Sequence, residues 1–413
     1  MTAITFIDAP CGQGKTTKAI ENLDPTKSYI IVVPFIDEIL RWQAEASIPL
    51  LAATDDEIGT KETKSAWLRR QIEEGASLVC THALWDRVDI TGLDLTGYDL
   101  IVDEAFEVID AVRGMTDSAF DKVYLSDGWA TVDPSTGRIT PTEKWIELAE
   151  VAAPTIRLDL FYRARQGSLF KVPSGGFFVS LVPQELFTGA KSCTILTYLA
   201  EDSIMAGYFR KLGIPFTVEK SDDTAFKHGL SQRLEVKQIT ALQTVLMSYT
   251  QQDKMKAAGA KKVANALTNL RARELAGVPQ ECIMLSCNKD KWSDGRIDRE
   301  GKLKGNGPFA NGSSLAKVNW LPRCVRATND YRHCSHAVYL NCLRLNPSIS
   351  AWLGWSKEDE DRWATSELIQ WVMRSRLRER DCVTLYLASL RMKALLEDFL
   401  NKKEEAAFTH LAA

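Results

Sequence analysis

No apolar run in the 413 residues approaches the ~20 needed to cross a bilayer as a helix, and the first residues do not read as a secretory signal. Charge of one sign is scarce too. The net charge is -3 and the pI about 6.1, so no global field draws in a polyanion. A nucleic-acid-binding surface on this chain must gather its basic residues into a groove. There is no internal repeat and no low-complexity tract. The nine cysteines are scattered, several inside apolar runs (Cys80, Cys193, Cys282). That pattern points to reduced thiols in a cytoplasmic setting, a host's if the source is viral, and away from a disulfide framework. Cys324, His333, Cys334, His336 and Cys342 crowd one segment, but their spacing fits no paired zinc knuckle.

What remains is an ordinary soluble composition, 45% hydrophobic and 25% charged, in a chain long enough for two or three domains. Near its start stands "IDAPCGQGKTTKAI", residues 7–20. A short apolar strand ("ITFID", 4–8) runs into a glycine-bearing loop and then a helix ("KTTKAIENL"). Ala9 through Thr16 match the P-loop spacing. Gly12 and Gly14 let backbone N–H groups turn inward around phosphates, with Gln13 between them and Thr17 behind. Lys15 reaches the β- and γ-phosphates, and Thr16 offers a hydroxyl to Mg²⁺. The expected ligands are ATP and Mg²⁺.

Some ninety residues on, "YDLIVDEAFEVID" (98–110) is an apolar run ending in adjacent acids, Asp103 and Glu104. A central parallel strand delivers carboxylates to the ligand-binding edge of an α/β sheet in this way. Asp103 is the expected Mg²⁺ partner, and Glu104 the group that orients or deprotonates the attacking water. The plainer alternative is a pair of acids capping the next helix.

Around residue 229 the strand–helix alternation gives way to a helix-favouring stretch (242–275), expected as one or two helices of a linker or domain start. Three apolar runs, "CIMLSC", "HAVYLN" and "CVTLYL", then suggest a second parallel sheet. Between the acid pair and residue 190 the chain is longer than a minimal lobe. Its "LFYRARQGSLFKVPSGGFFVSL" (160–181) suggests a β-hairpin within an insertion of about 113–190. The glycine-rich 288–314 is either a loop tracking phosphates, with Trp292 or Phe309 to stack on a base, or an ordinary solvated insertion. Lys254, Lys256, Lys261 and Lys262 read as a solvated helix face.

With these motifs in order, the chain resembles superfamily 2 helicases of DEAD/DEAH type, closest to compact phage or plasmid helicase-like proteins. Ala9–Thr16 is similar to their motif I, and Asp103-Glu104-Ala105-Phe106 to their acidic box. "YIIVVPFIDEILRWQ" (29–43) resembles motif Ia, "ASLVCTHALW" (76–85) the next strand and loop, and "KSCTILTYLAEDS" (191–203) the place of motif III. "ECIMLSCNKDKW" (281–292), "VRATNDYRHCSHAVYL" (325–340) and "LIQWVMRSRLRERDCVTLYL" (368–387) are similar to motifs IV, V and VI. Motif III lacks the usual Ser-Ala-Thr. In motif VI Met373 replaces the glycine, and Leu377 stands in register with the last arginine. No glutamine motif precedes the P-loop, which leaves base selectivity open.

The resemblance implies an α/β fold of two tandem RecA-like P-loop NTPase domains with parallel sheets, 1–228 and 229–413. It implies an ATP-dependent helicase or translocase acting on nucleic acid, DNA before RNA, with no membrane. An arginine of 374–378 would serve as a finger. If "QWVMRSRLR" is one helix, Gln370, Arg374 and Arg378 share a face and Arg376 pairs elsewhere. Pro34, Thr81, His82, Thr197, Thr328, Asn329 and Asp330 would contact the strand or couple it to the nucleotide. Two alternatives stay open: a packaging ATPase of terminase type, and a helicase-fold binding module without unwinding.

Overall fold

The structure, a computed structural model, describes residues 2–53, 62–150, 158–172, 176–297, 303–324 and 330–410. Contacts divide the chain into two units. One comprises Met1–Ala9, Gly14–Ser221 and Leu345–Asp359, the other Pro10–Gln13, Asp222–Arg344 and Glu360–Ala413. The division expected at 228/229 thus differs in its details. Residues 222–228 group with the second unit, and a late segment returns to the first. The returning piece is a helix, Pro347–Leu353, with Asn346 accepting from the Ser348 amide at its start and Gly354 in the left-handed region at its end. Its Trp352 packs edge-on to Phe170 and stacks on Tyr208. Trp355 follows, and a Cβ at Gly207 would lie 2.8 Å from its indole, so only glycine allows that approach.

The strands of the first unit are β1 (Ala3–Asp8), β2 (Ser28–Val33), β3 (Leu51–Ala52), β4 (Leu78–Thr81), β5 (Tyr98–Asp103), β6 (Ile109–Ala111), β7 (Ala130–Val132), β8 (Ile139–Pro141), β9 (Leu169–Val172), β10 (Phe177–Leu181), β11 (Ser192–Thr197) and β12 (Thr217–Lys220). Seven make one parallel sheet in the order β12-β1-β11-β5-β2-β4-β3. Every residue of β5 is buried, as a strand covered on both faces requires. The helix Ile36–Glu45 lays Ile39 and Trp42 against Ile31, Val33 and Val79 of the sheet.

The insertion is more than a hairpin. β9 and β10 do pair antiparallel, with β6 on the other side of β10, and β7 and β8 form a second hairpin. The expected hairpin segment, however, opens with a helix, Leu158–Arg165. Phe120, Tyr124, Trp145, Phe161 and Phe178 close a core of the insertion's own, which is why the segment is so rich in aromatics.

The second unit holds β13 (Leu234–Gln238), β14 (Ile283–Ser286), β15 (Asn319–Trp320), β16 (His336–Tyr339) and β17 (Val383–Leu387). They form a parallel sheet in the order β13-β17-β16-β14-β15. The fold is therefore α/β with two parallel sheets. The stretch expected as a linker belongs to this core. The helix Ala257–Arg273 buries Val263, Ala266, Leu267 and Leu270 with Ile283 and Leu285 of β14, while Lys254, Lys256, Lys261 and Lys262 stay exposed.

Trp292 and Phe309 are not free to stack on a base. Both are fully buried in the same core. A Cβ at Gly307 would lie 2.6 Å from the Trp292 backbone, so the glycine-rich composition serves close packing.

Candidate active site

The sheet of the first unit brings the sequence motifs to one edge. Asp8, the last residue of β1, lies opposite Thr197 of β11. Leu196 lies opposite Asp103 of β5, Val32 of β2 opposite Val102, and Val33 opposite Thr81 of β4. The loop after β1, Pro34 after β2, the acid pair after β5 and Thr81-His82 thus leave the sheet at its carboxyl edge, the usual ligand edge of such folds. β11 stands between the P-loop strand and the acid strand.

Gly12 and Gly14 have φ of 81° and 74°. Other residues enter that region only at a cost, so the loop needs glycine at both turns. Gly14 caps the helix Lys15–Glu21. Lys15 Nζ donates to the Ala9 carbonyl at 2.5 Å, which folds the ammonium back over the loop. Thr16 Oγ1 donates to Asp103 Oδ1 at 2.9 Å. Thr17 Oγ1 accepts from the Arg41 guanidinium at 2.9 Å.

Asp103 is tightly constrained. It is buried, and burial pushes its carboxyl up to about 6, helped by the neighbouring charges of Glu104 and Glu38 and opposed by the bonds from Thr16 and Trp42. The Trp42 indole Nε1 donates to Asp103 Oδ2 at 3.3 Å, so both carboxylate oxygens are held. Glu104, next along, has φ of 71°. This left-handed conformation is costly for a residue with a Cβ, and such strain clusters at functional sites. Its amide donates to the Leu196 carbonyl at 2.9 Å, and its side chain is half-buried.

His82 Nε2 lies 3.1 Å from the Asp103 carbonyl oxygen, and its ring stacks on Phe106 with centroids 4.5 Å apart. Thr81 Oγ1 accepts from the Leu84 amide and caps the short helix His82–Trp85. The segment after β4 is thereby joined to the acidic box. Thr197 is fully buried, its carbonyl accepts from the Ala9 amide at 3.1 Å, and its hydroxyl has no hydrogen-bond partner among the described residues. Asp8 accepts from the amides of Leu199 and Ala200. Burial raises its carboxyl, against those two bonds and the charges of Lys220 and Lys15.

Residue reading from sequence missed Trp42 and Asp8. A tryptophan on an amphipathic helix reads as core, and Trp42 is core as well as donor. Asp8, at the end of the P-loop strand, offered a signal only in being a charged residue closing an apolar run.

In the second unit the region 370–378 is not one helix. The helix Lys357–Val372 stops at Val372. Ser375 then accepts from the Leu377 amide and opens a 3₁₀ turn, Arg376–Glu379. Gln370, Arg374 and Arg378 therefore do not share the face of one helix, contrary to expectation. Gln370 is buried with Nε2 on Ser366 Oγ at 3.1 Å, Arg374 is buried, and Arg378 is half-exposed. Arg376 Nε donates to the Cys382 carbonyl at 2.7 Å. Asp330 is exposed, while Thr328 and Asn329 lie outside the described residues.

His333 and Cys334 both approach the Glu281 carbonyl, at 2.8 and 3.5 Å. Among the described residues no three His, Cys, Asp or Glu side chains are placed to share a metal ion, and no helix is long and apolar enough to cross a membrane. None of the nine cysteines is bridged.

The family model described as the YonV C-terminal Rossmann-like domain matches residues 229–400, the stretch that holds β13–β17. The second unit resembles that domain. The chain is similar over 98% of its length to the SPbeta prophage-derived uncharacterized protein YonV of Bacillus subtilis, at 23% identity and covering all of that protein. Among solved structures it is similar to an XPD helicase (13% identity, 96% of this chain and 94% of that one, TM-score 0.45). It is also similar to Saccharomyces cerevisiae Dbp5 bound to RNA and ADP BeF3 (10% identity, 97% and 83%, TM-score 0.38).

Proposed function

We propose that the protein is an ATP-hydrolysing nucleic-acid motor of superfamily 2 type, a helicase or translocase. One observation carries the reading. The hydrogen bond from Thr16 to Asp103 ties the P-loop helix to the acid pair at the sheet edge, with Glu104 beside it. A pair of acids that merely capped a helix would have no reason to meet the P-loop threonine.

The loop of Gly12, Gln13 and Gly14 supplies backbone donors for phosphate, and Lys15 supplies the cation. Thr16 and Asp103 would hold Mg²⁺. Two hard oxygens suit that ion, and a buried carboxylate whose own neighbour is another acid is short of positive charge. When bound, Mg²⁺ would neutralise charge on the phosphates. Glu104, half-buried at the same edge, orients the attacking water and accepts its proton. Gln370, Arg374 and Arg378 keep the role the resemblance gives them, the arginines offering positive charge and Gln370 a neutral amide to the transferred phosphoryl group. Pro34, Thr81, His82, Thr197, Thr328, Asn329 and Asp330 are assigned to strand contact or coupling. The bond from His82 to the Asp103 carbonyl supports the coupling part.

The packaging reading has less behind it. It needs acids at the strand ends of the second sheet, and β13, β14, β16 and β17 end in Gln238, Ser286, Tyr339 and Leu387. The module without unwinding is favoured by the helix stop at Val372 and by Met373 in place of glycine. A strand-displacement assay on tailed DNA and RNA duplexes separates the two. Displacement that needs hydrolysable ATP supports the helicase. ATP turnover with no displacement of any duplex, and no movement along single strands, leaves the silent module.

A further inference from the structure

The first unit holds a cavity of about 650 Å³, remote in sequence from the P-loop, lined by Ser135, Thr136, Arg138, Phe170, Lys211 and Trp352 among others. We propose that this cavity binds the phosphate group of a nucleotide unit against its two cations. The unit would come from a nucleic-acid strand or from a free nucleotide. The strand source rests on the nucleic-acid reading above; the free nucleotide does not.

The walls are built rather than incidental. The turn from β7 to β8 is fastened by Asp133, whose carboxylate accepts from the Ser135 amide (2.7 Å), the Ser135 hydroxyl (2.6 Å) and the Thr136 amide (3.2 Å). Gly137, at φ 75°, lets this turn settle on β9, where a Cβ would lie 2.1 Å from the Lys171 carbonyl oxygen. Arg138 is thereby paired opposite Phe170, its guanidinium carbon 5.6 Å from the ring centre. On the other side Lys211 ends the helix Ile204–Lys211, its ammonium 5.9 Å from the centre of the Trp352 ring. Phe170 and Trp352 meet edge to face at 6.0 Å, both 4% exposed. The two joined rings are thus covered, each by a cation, and the cations and the hydroxyls of Ser135 and Thr136 face the cavity.

The charge balance points to an anion. Neighbouring cations of this unit are satisfied: Lys171 sits between Asp117 and Asp121, and Arg163 grips both oxygens of Asp86. Arg138 and Lys211 make no ion pair with the described residues. Asp133 and Glu185 are both engaged elsewhere. Asp133 is spent on its turn, and Glu185, in a small adjoining cleft that Arg138 also borders, takes the Gln184 amide at 3.4 Å. Two cations with no ion pair among the described residues, beside hydroxyls and around a volume in the range of small-ligand sites, are what a nucleotide's phosphate needs.

The test uses the full chain with Arg138→Ala/Lys211→Ala. Both side chains are exposed, so an unchanged thermal midpoint is expected, and Lys211→Gln alone serves if the double variant unfolds. Fluorescence anisotropy with labelled single-stranded DNA and RNA across a salt series reads the strand. Calorimetry with AMP, in a Lys15→Ala background, reads the free nucleotide. If the strand occupies the cavity, affinity falls about tenfold or more. The log–log salt slope becomes shallower by about 1.4, because each single-strand phosphate contact contributes ~0.7. Arg138→Lys/Lys211→Arg keeps the slope. If AMP occupies it, AMP binding is lost with the pair while strand binding is unmoved. The proposal is overturned if neither ligand responds, or if Lys261→Ala/Lys262→Ala, which removes equal exposed charge elsewhere, weakens strand binding as much. A wild-type chain that binds AMP through Arg138 and Lys211 but binds no polynucleotide keeps this site and removes the nucleic-acid reading instead.

Discussion

Replacing Asp103 with asparagine should make the nucleotide-free protein more stable while stopping its chemistry. The Asp103 carboxyl sits at about 6 against an ordinary 3.8, chiefly because it is buried and secondly because Glu104 is charged beside it. A carboxyl raised in the folded state stabilises the fold where it is protonated. That contribution is whole below pH 3.8 and is lost as pH rises through 6. Above pH 7 the ionised group therefore costs about 3 kcal/mol, at about 1.4 kcal/mol per pH unit of displacement. Asparagine removes this cost. Its oxygen still accepts from Thr16, but its amide faces the Trp42 N–H and forfeits one hydrogen bond, about 1 kcal/mol. The variant should gain about 2 kcal/mol at pH 7.5. At pH 5 only about half of the gross 3 kcal/mol remains, and the net gain nearly disappears. Urea unfolding at the two pH values, without Mg²⁺ or nucleotide, reads the difference, and Mg-ATP should then stabilise the wild type and not the variant. A variant less stable than wild type by the same amount at both pH values refutes the claim that Asp103 is a buried charge kept for a cation.

Glu104→Gln should still bind Mg-ATP through Lys15, Thr16 and Asp103 but hydrolyse it at least ~10²-fold more slowly, with tighter nucleic-acid binding in the presence of ATP; wild-type turnover would reduce the acid pair to a helix cap. Trp42→Phe keeps the buried ring but drops a hydrogen bond worth about 1 kcal/mol, so the Mg²⁺ needed for half-maximal hydrolysis should rise ~5-fold. An unmoved Mg²⁺ titration would make the indole N–H idle. Arg374→Ala and Arg378→Ala should each lower kcat by ~10²-fold or more with ATP binding largely kept, and Arg376→Ala, whose guanidinium holds the Cys382 carbonyl, should do much less. A dominant effect at Arg376 would show that the motif's register is displaced.

The parts of this molecule that were legible in the sequence are those where one residue type is nearly forced. The apolar runs of β2, β5, β14, β16 and β17 announce strands buried on both faces. Gly12 and Gly14 are required by positive φ, and the buried run of β5 brings its acids to the sheet edge. β13, "LEVKQ", escaped notice because only Leu234 of its five residues is fully buried. The helix stop at Val372 was signalled only by Ser375, a cap residue inside an otherwise helical string. Trp292 and Phe309 misled because local composition was polar while other members of their core, Val263 and Val338, lie far off in sequence. The Trp42 bond to Asp103 spans 61 residues, and no spacing rule reaches that far. Long-range side-chain contacts are what the strand pattern leaves unspecified.

The central claim is that the P-loop and the acid pair hydrolyse ATP for work on nucleic acid. Phosphate release by the full chain with Mg-ATP, titrated with single- and double-stranded DNA and RNA beside the Lys15→Ala variant, tests it most directly. Hydrolysis that rises at least several-fold with one of these polymers, weakens steeply as salt is added and vanishes in Lys15→Ala is the predicted result. Hydrolysis indifferent to every polynucleotide, or undiminished without Lys15, contradicts it.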